Sequence, residues 1–428
     1  MPAHELSELP TGERVISERV PGVRSVALGF WVGAGSRDEP EERAGVTHFI
    51  EHLLFKGSAR YTARAIAEIF DELGGELNAA TSRETTVVYA RVPDERLETA
   101  LDVIADMVYR PTFADVDAER EVVLEEIAMV EDTPHDLVHD IAAQAVFGDH
   151  PLGRPVIGRA EVIANVSRRA LRGYHRRAYA GERLALAAAG NVEHERLVEL
   201  LDARRDGALR DGKLPPRRPV RGTLPPGLRF QRKDTEQYHV CLSGPGISRT
   251  DERRFAASIL DAIVGGSASS RLFQEIREKR GMAYSVYSYS SQYADSGQVG
   301  LYVGTREENL AACLAIAAGE LRDLGAGNVR PEELARAKEN LTSRLLLSLE
   351  STSSRMTRLG KAIVTGAPLL EVEEVVERLE RVSAEEVAAL AAELLDPSRL
   401  SAAGIGPDES RFREAVARVN PALAAEAA

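Results

Sequence analysis

The stretch Gly45-Val-Thr-His-Phe-Ile-Glu-His-Leu-Leu-Phe-Lys-Gly57 decides how the rest of the chain is to be read. His48 and His52 stand one helical turn apart, so both imidazoles project from one face and their nitrogens can converge on a single metal ion. Glu51 borders that face and is placed to handle the proton of a water held at the ion. This H-x-x-E-H order inverts the commoner H-E-x-x-H of zinc helices. A surface helix carrying two histidines by chance is the plainer alternative. Nine histidines spread over 428 residues make that coincidence uncommon. The flanking Phe49, Ile50, Leu53, Leu54 and Phe55 also mark a core helix, and polar groups in such a helix need partners, which a metal ion supplies.

Two histidines leave a catalytic zinc site one protein ligand short. The segment from Asp117 to Val130 has helical periodicity and places Glu119, Val122, Val123, Glu126 and Val130 on one stripe, so Glu126 is expected to face inward. Glu125 shares the opposite, solvated side with Glu121 and Asp132. Glu119, two turns before Glu126, would lie near the site and could orient its ligands. Taken alone, Glu119 also fits an ordinary charged helix face.

These two segments together resemble the pitrilysin-type inverzincin metallopeptidases, and within them the bacterial members similar to mitochondrial processing peptidase. The resemblance implies His48, His52 and Glu126 as ligands of one zinc ion per chain, Glu51 as general base and Glu119 as a second glutamate supporting catalysis. It extends to Arg277-Glu-Lys-Arg-Gly-Met-Ala-Tyr284, matching an arginine and a tyrosine that the family uses to complete the active site from its other domain. Gly74-Gly-Glu-Leu-Asn-Ala79 resembles the family's edge strand, where Asn78 and Ala79 hold substrate backbone. On spacing alone, Arg277 also fits a surface salt bridge with Glu275 or Glu278, Tyr284 a packed strand residue, and Asn78 a turn residue.

The chain reads as a duplication. The first half runs from a strand at 25–32 through the His48 helix, a helix at 63–73, a strand pair from Glu76 to Val92, a helix at 96–108 and the Glu126 helix to a strand at 184–191. The second repeats this order, from a strand at 238–243 to one at 400–404, but its counterpart helix, Phe255 to Val264, contains no histidine. The expected fold is α+β, with two homologous domains, each a mainly antiparallel sheet packed with helices, facing each other as a clamshell. Residues 1–205 would form the zinc-binding domain and 228–428 the domain without ligands. The Arg- and Pro-rich stretch 204–227, taken as a linker over 206–227, has the composition of an exposed connection.

Composition bounds the rest. Forty-four per cent hydrophobic and 28% charged residues describe a globular chain, and 428 residues exceed one ordinary core. Cys241 and Cys313 sit far apart in apolar surroundings, as free thiols in a reducing compartment would. There is no basic leader followed by an apolar stretch and no long apolar window, so a cytoplasmic protein without a membrane segment is expected. A net charge of −13 argues against a nucleic-acid surface. The acidic runs from Asp38 to Glu42 and Glu371 to Glu380 read as solvated faces, with a preference for basic peptides as the functional version.

The expected activity is zinc-dependent endopeptidase cleavage of short or unfolded peptides, bound in extended form along the edge strand after Gly75. Glu51 would move the proton, Tyr284 would donate to the oxyanion and Arg277 would hold a substrate carbonyl, the last two by resemblance. A homodimer is expected, with a heterodimer with a degenerate homologue as the variant. The contrasting possibility is a non-catalytic or partner-dependent binding subunit, against which the complete zinc set with Glu51 speaks.

Overall fold

The structure, a computed structural model, describes residues 4–205, 213–222 and 224–425; positions 206–212 and 223 of the expected linker lie outside the described residues. It holds two sheets. The first contains β1 (Glu5–Glu8), β2 (Arg14–Arg19), β3 (Ser25–Val32), β4 (Glu76–Thr81), β5 (Thr86–Pro93) and β6 (Leu184–Gly190), in the order β1-β2-β6-β3-β5-β4. The second contains β7 (Leu228–Arg232), β8 (Tyr238–Gly246), β9 (Ala283–Gln292), β10 (Gly297–Thr305) and β11 (Ser401–Gly406), in the order β7-β11-β8-β10-β9. Apart from β1, the two orders correspond strand for strand. Even the single parallel pair, β2 with β6 and β7 with β11, recurs among otherwise antiparallel neighbours. The duplication read from the sequence is therefore a duplication of topology.

Each sheet is covered on both faces, so that central strands such as β6 and β10 are buried along their whole length. Along β3 the residues alternate between two layers. Val26, Leu28, Phe30 and Val32 join a core with Leu53, Leu101, Leu171 and Leu197 from four helices. Ala27 and Trp31 instead meet Met356 and Leu359 of the helix Thr352–Thr365. In the second sheet, Val299, Leu301 and Val303 of β10 enter the larger core, while Tyr302 packs with Val138 and Ala142 of the helix Pro134–Phe147.

These two helices come from the opposite halves of the sequence. The compact units are accordingly discontinuous: 1–128 with 155–217 and 346–371, and 129–154 with 218–345 and 372–428. Contiguous halves bounded at 205 and 228 do not reproduce that division. Nor is the connection uniformly exposed, because Leu214 is buried in the first core and Arg217 forms paired 2.9 Å contacts with both oxygens of Asp38.

The acidic run from Asp38 to Glu42 also departs from expectation at its first members. Asp38 and Glu39 are buried, and only Glu41 and Glu42 are solvated. Asp38 is neutralised by Arg217. Glu39 accepts hydrogen bonds of 2.7 Å from the backbone N–H groups of Gly45 and Thr47, which open the helix Val46–Leu54. A carboxylate at that position satisfies otherwise orphaned donors and complements the helix dipole. Gly45 itself has φ +100°, and a Cβ there would lie 2.8 Å from Gly158 Cα, so both backbone conformation and space require glycine.

Candidate metal centre

The helix Val46–Leu54 carries His48, Glu51 and His52, with Phe49, Ile50, Leu53 and Leu54 fully buried on its other sides. The helix Val116–Asp132 brings Glu119 and Glu126 against it. Its inward stripe is Glu119, Val123 and Ile127, with Glu126 half-buried at the margin. Val122, expected to face inward, is 50% exposed. It lies about 100° around the helix from Val123, and only one of two consecutive residues can occupy the stripe's centre.

Ligand atoms of His48, His52 and Glu126 all fall within 4.8 Å of one another. Glu126 Oε2 stands 3.3 Å from His52 Nε2 and 3.7 Å from His48 Nε2. Despite this proximity, that oxygen is buried and accepts no hydrogen bond. The reason lies on the far side of His52, whose Nδ1 donates to Glu119 Oε1 at 2.9 Å. With the imidazole proton held there, the lone pair of Nε2 faces the carboxylate, and two lone pairs face each other favourably only across a cation. Burial, reinforced by neighbouring His52, also holds the pKa of His48 down to about 4, leaving its imidazole neutral near pH 7 as a ligand must be. The donor set of two imidazoles and one carboxylate suits zinc.

Two further side chains tune the centre. Lys56 Nζ lies 2.7 Å from Glu119 Oε2, so Glu119 bridges an ammonium and an imidazole. Thr81, the last residue of β4, donates its hydroxyl to Glu51 Oε2. Burial raises the pKa of Glu51, the hydroxyl of Thr81 opposing that shift. Neither residue was singled out from sequence. The signal for Lys56 was available, since it follows His52 by one helical turn.

β4 is the edge of its sheet, as expected. Asn78 is exposed on it and Ala79 points to the opposite, half-buried side; Asn78 Oδ1 accepts from Ala79 N–H at 2.8 Å. Arg277 and Tyr284 belong to the second unit, where the guanidinium lies 4.6 Å from the Tyr284 ring. Glu275 pairs with Lys279 and Arg280 instead of Arg277, whose own approach to Glu278 is a loose 3.8 Å. Tyr284 is 78% exposed and so is not a packed strand residue. Both cysteines are free and buried.

A family model described as insulinase, peptidase family M16, matches residues 14–160, and one described as the M16 inactive domain matches residues 165–341. The chain belongs to peptidase family M16. Similar M16 relatives include uncharacterized zinc proteases of Streptomyces coelicolor, 42% identical over 96% of this chain and 92% of that one, and of Mycobacterium tuberculosis, 43% identical over 94% and 93%. The zinc protease YmxG of Bacillus subtilis is 40% identical over 90% and 93%. Two crystal structures share the fold. An M16 inactive domain from Pseudomonas fluorescens superposes with a TM-score of 0.87 at 22% identity, covering 95% of this chain and 98% of that one. A protease from Helicobacter pylori gives 0.88 at 20%, covering 95% and 100%. Membership of M16 makes this a protein of a zinc metallopeptidase family, and among the described residues His48, His52 and Glu126 are the one group of at least three His, Cys, Asp or Glu side chains that could hold a metal ion. No helix among the described residues is long and apolar enough to cross a membrane.

Proposed function

We propose that this M16 chain is an endopeptidase that cleaves short or unfolded peptides, with Glu51 as general base. The observation that carries the proposal is the buried, unpartnered Oε2 of Glu126 facing His52 Nε2 at 3.3 Å, beside a Glu51 already held by Thr81. His48, His52 and Glu126 would hold a zinc ion, which would supply Lewis-acid polarisation of a peptide carbonyl and make a water at the site nucleophilic near neutral pH. Glu51 takes the proton of the attacking water and returns it to the leaving amine, its carboxylate held in place by the Thr81 hydroxyl. Glu119 accepts the Nδ1 proton of His52, and Lys56 Nζ lies against its other carboxylate oxygen. An extended peptide adds to the free edge of β4, which recognises main chain and so tolerates varied side chains. Arg277 and Tyr284 hold a substrate carbonyl and the developing oxyanion. The working species is a cytoplasmic homodimer.

Quenched fluorescent peptides test this directly. Wild type should show chelator-sensitive cleavage, and Glu51→Gln should retain stoichiometric zinc while losing it. Inactivity of wild type and variant alike, with zinc bound to both, would refute an autonomous peptidase and point to a binding subunit. Sedimentation equilibrium checks the dimer.

A further inference from the structure

The Arg277 guanidinium is held by rings rather than by acids. Its carbon lies 4.6 Å from the centroid of Tyr284 and 4.6 Å from that of Phe273, four residues earlier in the same helical turn. That turn, Phe273–Glu278, is a π-helix, the single-turn form that recurs at functional sites. It closes with Gly281 N–H donating to the Arg277 carbonyl, Gly281 standing at φ +60°. Leu272 and Ile276 of the same segment are buried in the core of the second unit. Phe273 is not part of that cluster; it is half-buried, on the side where Arg277 lies. An aromatic ring left partly in water contributes little to the core, and its defined contact is the guanidinium.

A guanidinium flanked by ring faces keeps its in-plane N–H groups available, because cation–π attraction uses the face and hydrogen bonding uses the edge. Glu278, the nearest acid, stands 3.8 Å from Nε, beyond hydrogen-bond range. Arg277 therefore has its plane fixed while its edge stays open to a carbonyl or carboxylate acceptor. Tyr284, 78% exposed, has few contacts to fix its own position and cannot set that plane alone. Phe273, anchored beside the buried Leu272, can.

We propose that Phe273 is the positioning residue of Arg277, a platform that presets the guanidinium plane for a substrate carbonyl. The proposal rests on the assignment of substrate binding to Arg277. Phe273→Leu keeps apolar bulk and removes the ring face, whereas Phe273→Tyr keeps both. Phe273→Leu should lower kcat/KM between about 3-fold and about 30-fold, the range spanned by exposed to desolvated cation–π contacts. It should weaken peptide binding to the inactive, zinc-loaded Glu51→Gln protein by a similar factor, with melting temperature unchanged. Phe273→Tyr should restore both, and Phe273→Met, should leucine prove destabilising, should repeat the loss. In an Arg277→Met background, Phe273→Leu should change neither quantity by more than about 2-fold, since coupled residues do not act additively. Multiplying effects in that double-mutant cycle, or a folded Phe273→Leu protein with wild-type kinetics, would overturn the proposal.

One readout is independent of turnover. The Arg277 Nε–H resonance, displaced by the ring currents of both aromatics in wild type, should move toward its free value in Phe273→Leu. An unmoved resonance would overturn the platform even in a chain that cleaves nothing. Absence of any cleavage, with this resonance shifting as expected, would instead refute only the peptidase assignment.

Discussion

His175 gives a sharp handle on the stability of the first unit. It lies on the helix Arg168–Ala178, stacked on Tyr179 at 4.4 Å and edge-on to Phe113 at 5.5 Å, with Nε2–H donating to the Val108 carbonyl at 3.0 Å. Burial holds its pKa down from 6.5 to about 4. The unfolded chain therefore binds a proton that the folded chain refuses between those values, and stability falls as pH drops through that window. At about 1.4 kcal/mol per pH unit, the full loss is about 3 kcal/mol, complete near pH 4 and absent above pH 7. Between pH 7 and pH 5 it should be about 2 kcal/mol. Urea unfolding at the two pH values, on wild type and Histidine-to-glutamine at position 175 (H175Q), isolates the contribution. Groups such as His48, also depressed by burial, titrate in both proteins and cancel in the difference. Wild type should lose about 2 kcal/mol more than H175Q over this interval. Equal losses, or an NMR titration placing His175 near 6.5, would refute the attribution to a buried neutral imidazole.

Other expectations concern the metal centre and the crossing helix. Thr81→Val removes the hydroxyl donated to Glu51 at constant shape, and should lower kcat about tenfold with zinc content unchanged, Thr81→Ser restoring it; equal kcat in Thr81→Val would show that the bond does not orient the base. Glu119→Gln leaves His52 Nδ1 and Lys56 without their carboxylate and should weaken zinc binding about 10- to 100-fold in competition with a chromophoric chelator, an unchanged affinity refuting the tautomer argument. Gly360→Ala would place a Cβ into the indole of Trp31, and should lower stability by about 1–3 kcal/mol in thermal unfolding; an unshifted midpoint would mean that the helix Thr352–Thr365 is not closely seated on β3.

What was legible in the sequence was set by how local its physics is. The pairing of His48 with His52 and the strand at 25–32 need only a few consecutive residues, and both are found in place. The selection of Glu126 over Glu125 was also a local contest of faces, and Glu125 is exposed. The failures share the opposite property. Asp38 and Glu39 look like members of a solvated acidic run because their partners, Arg217 and the backbone at 45 and 47, cannot be inferred from neighbouring charges. β1 and β2 carry no strong pattern of their own, and their place is fixed by pairing with one another and with β6.

The exchange of helices is the plainest case of this limit. Pro134–Phe147 follows the long helix of the first half, and Thr352–Thr365 follows the corresponding long helix, Pro331–Ser348, of the second. Each carries an ordinary apolar stripe, Val138 with Ala142 in one and Met356 with Leu359 in the other, and such a stripe states that a partner exists without naming it. The sheets do carry a trace of the answer. β3 is buried along both faces, so Trp31 and Ala27 require a cover that the helices of the first core, already packed on Leu28 and Phe30, cannot provide. A count of apolar faces against available covers would thus have shown that the first sheet lacks one layer, and a reciprocal loan between homologous halves satisfies both sheets with the same pair of elements. The duplication conserved this exchange along with the strand order, while the helix Arg254–Val264 kept its place and carries none of the histidines. Chemistry was therefore separable from architecture in this fold: the backbone pattern depends on faces that must be covered, and the histidine ligands on one of two equivalent helices.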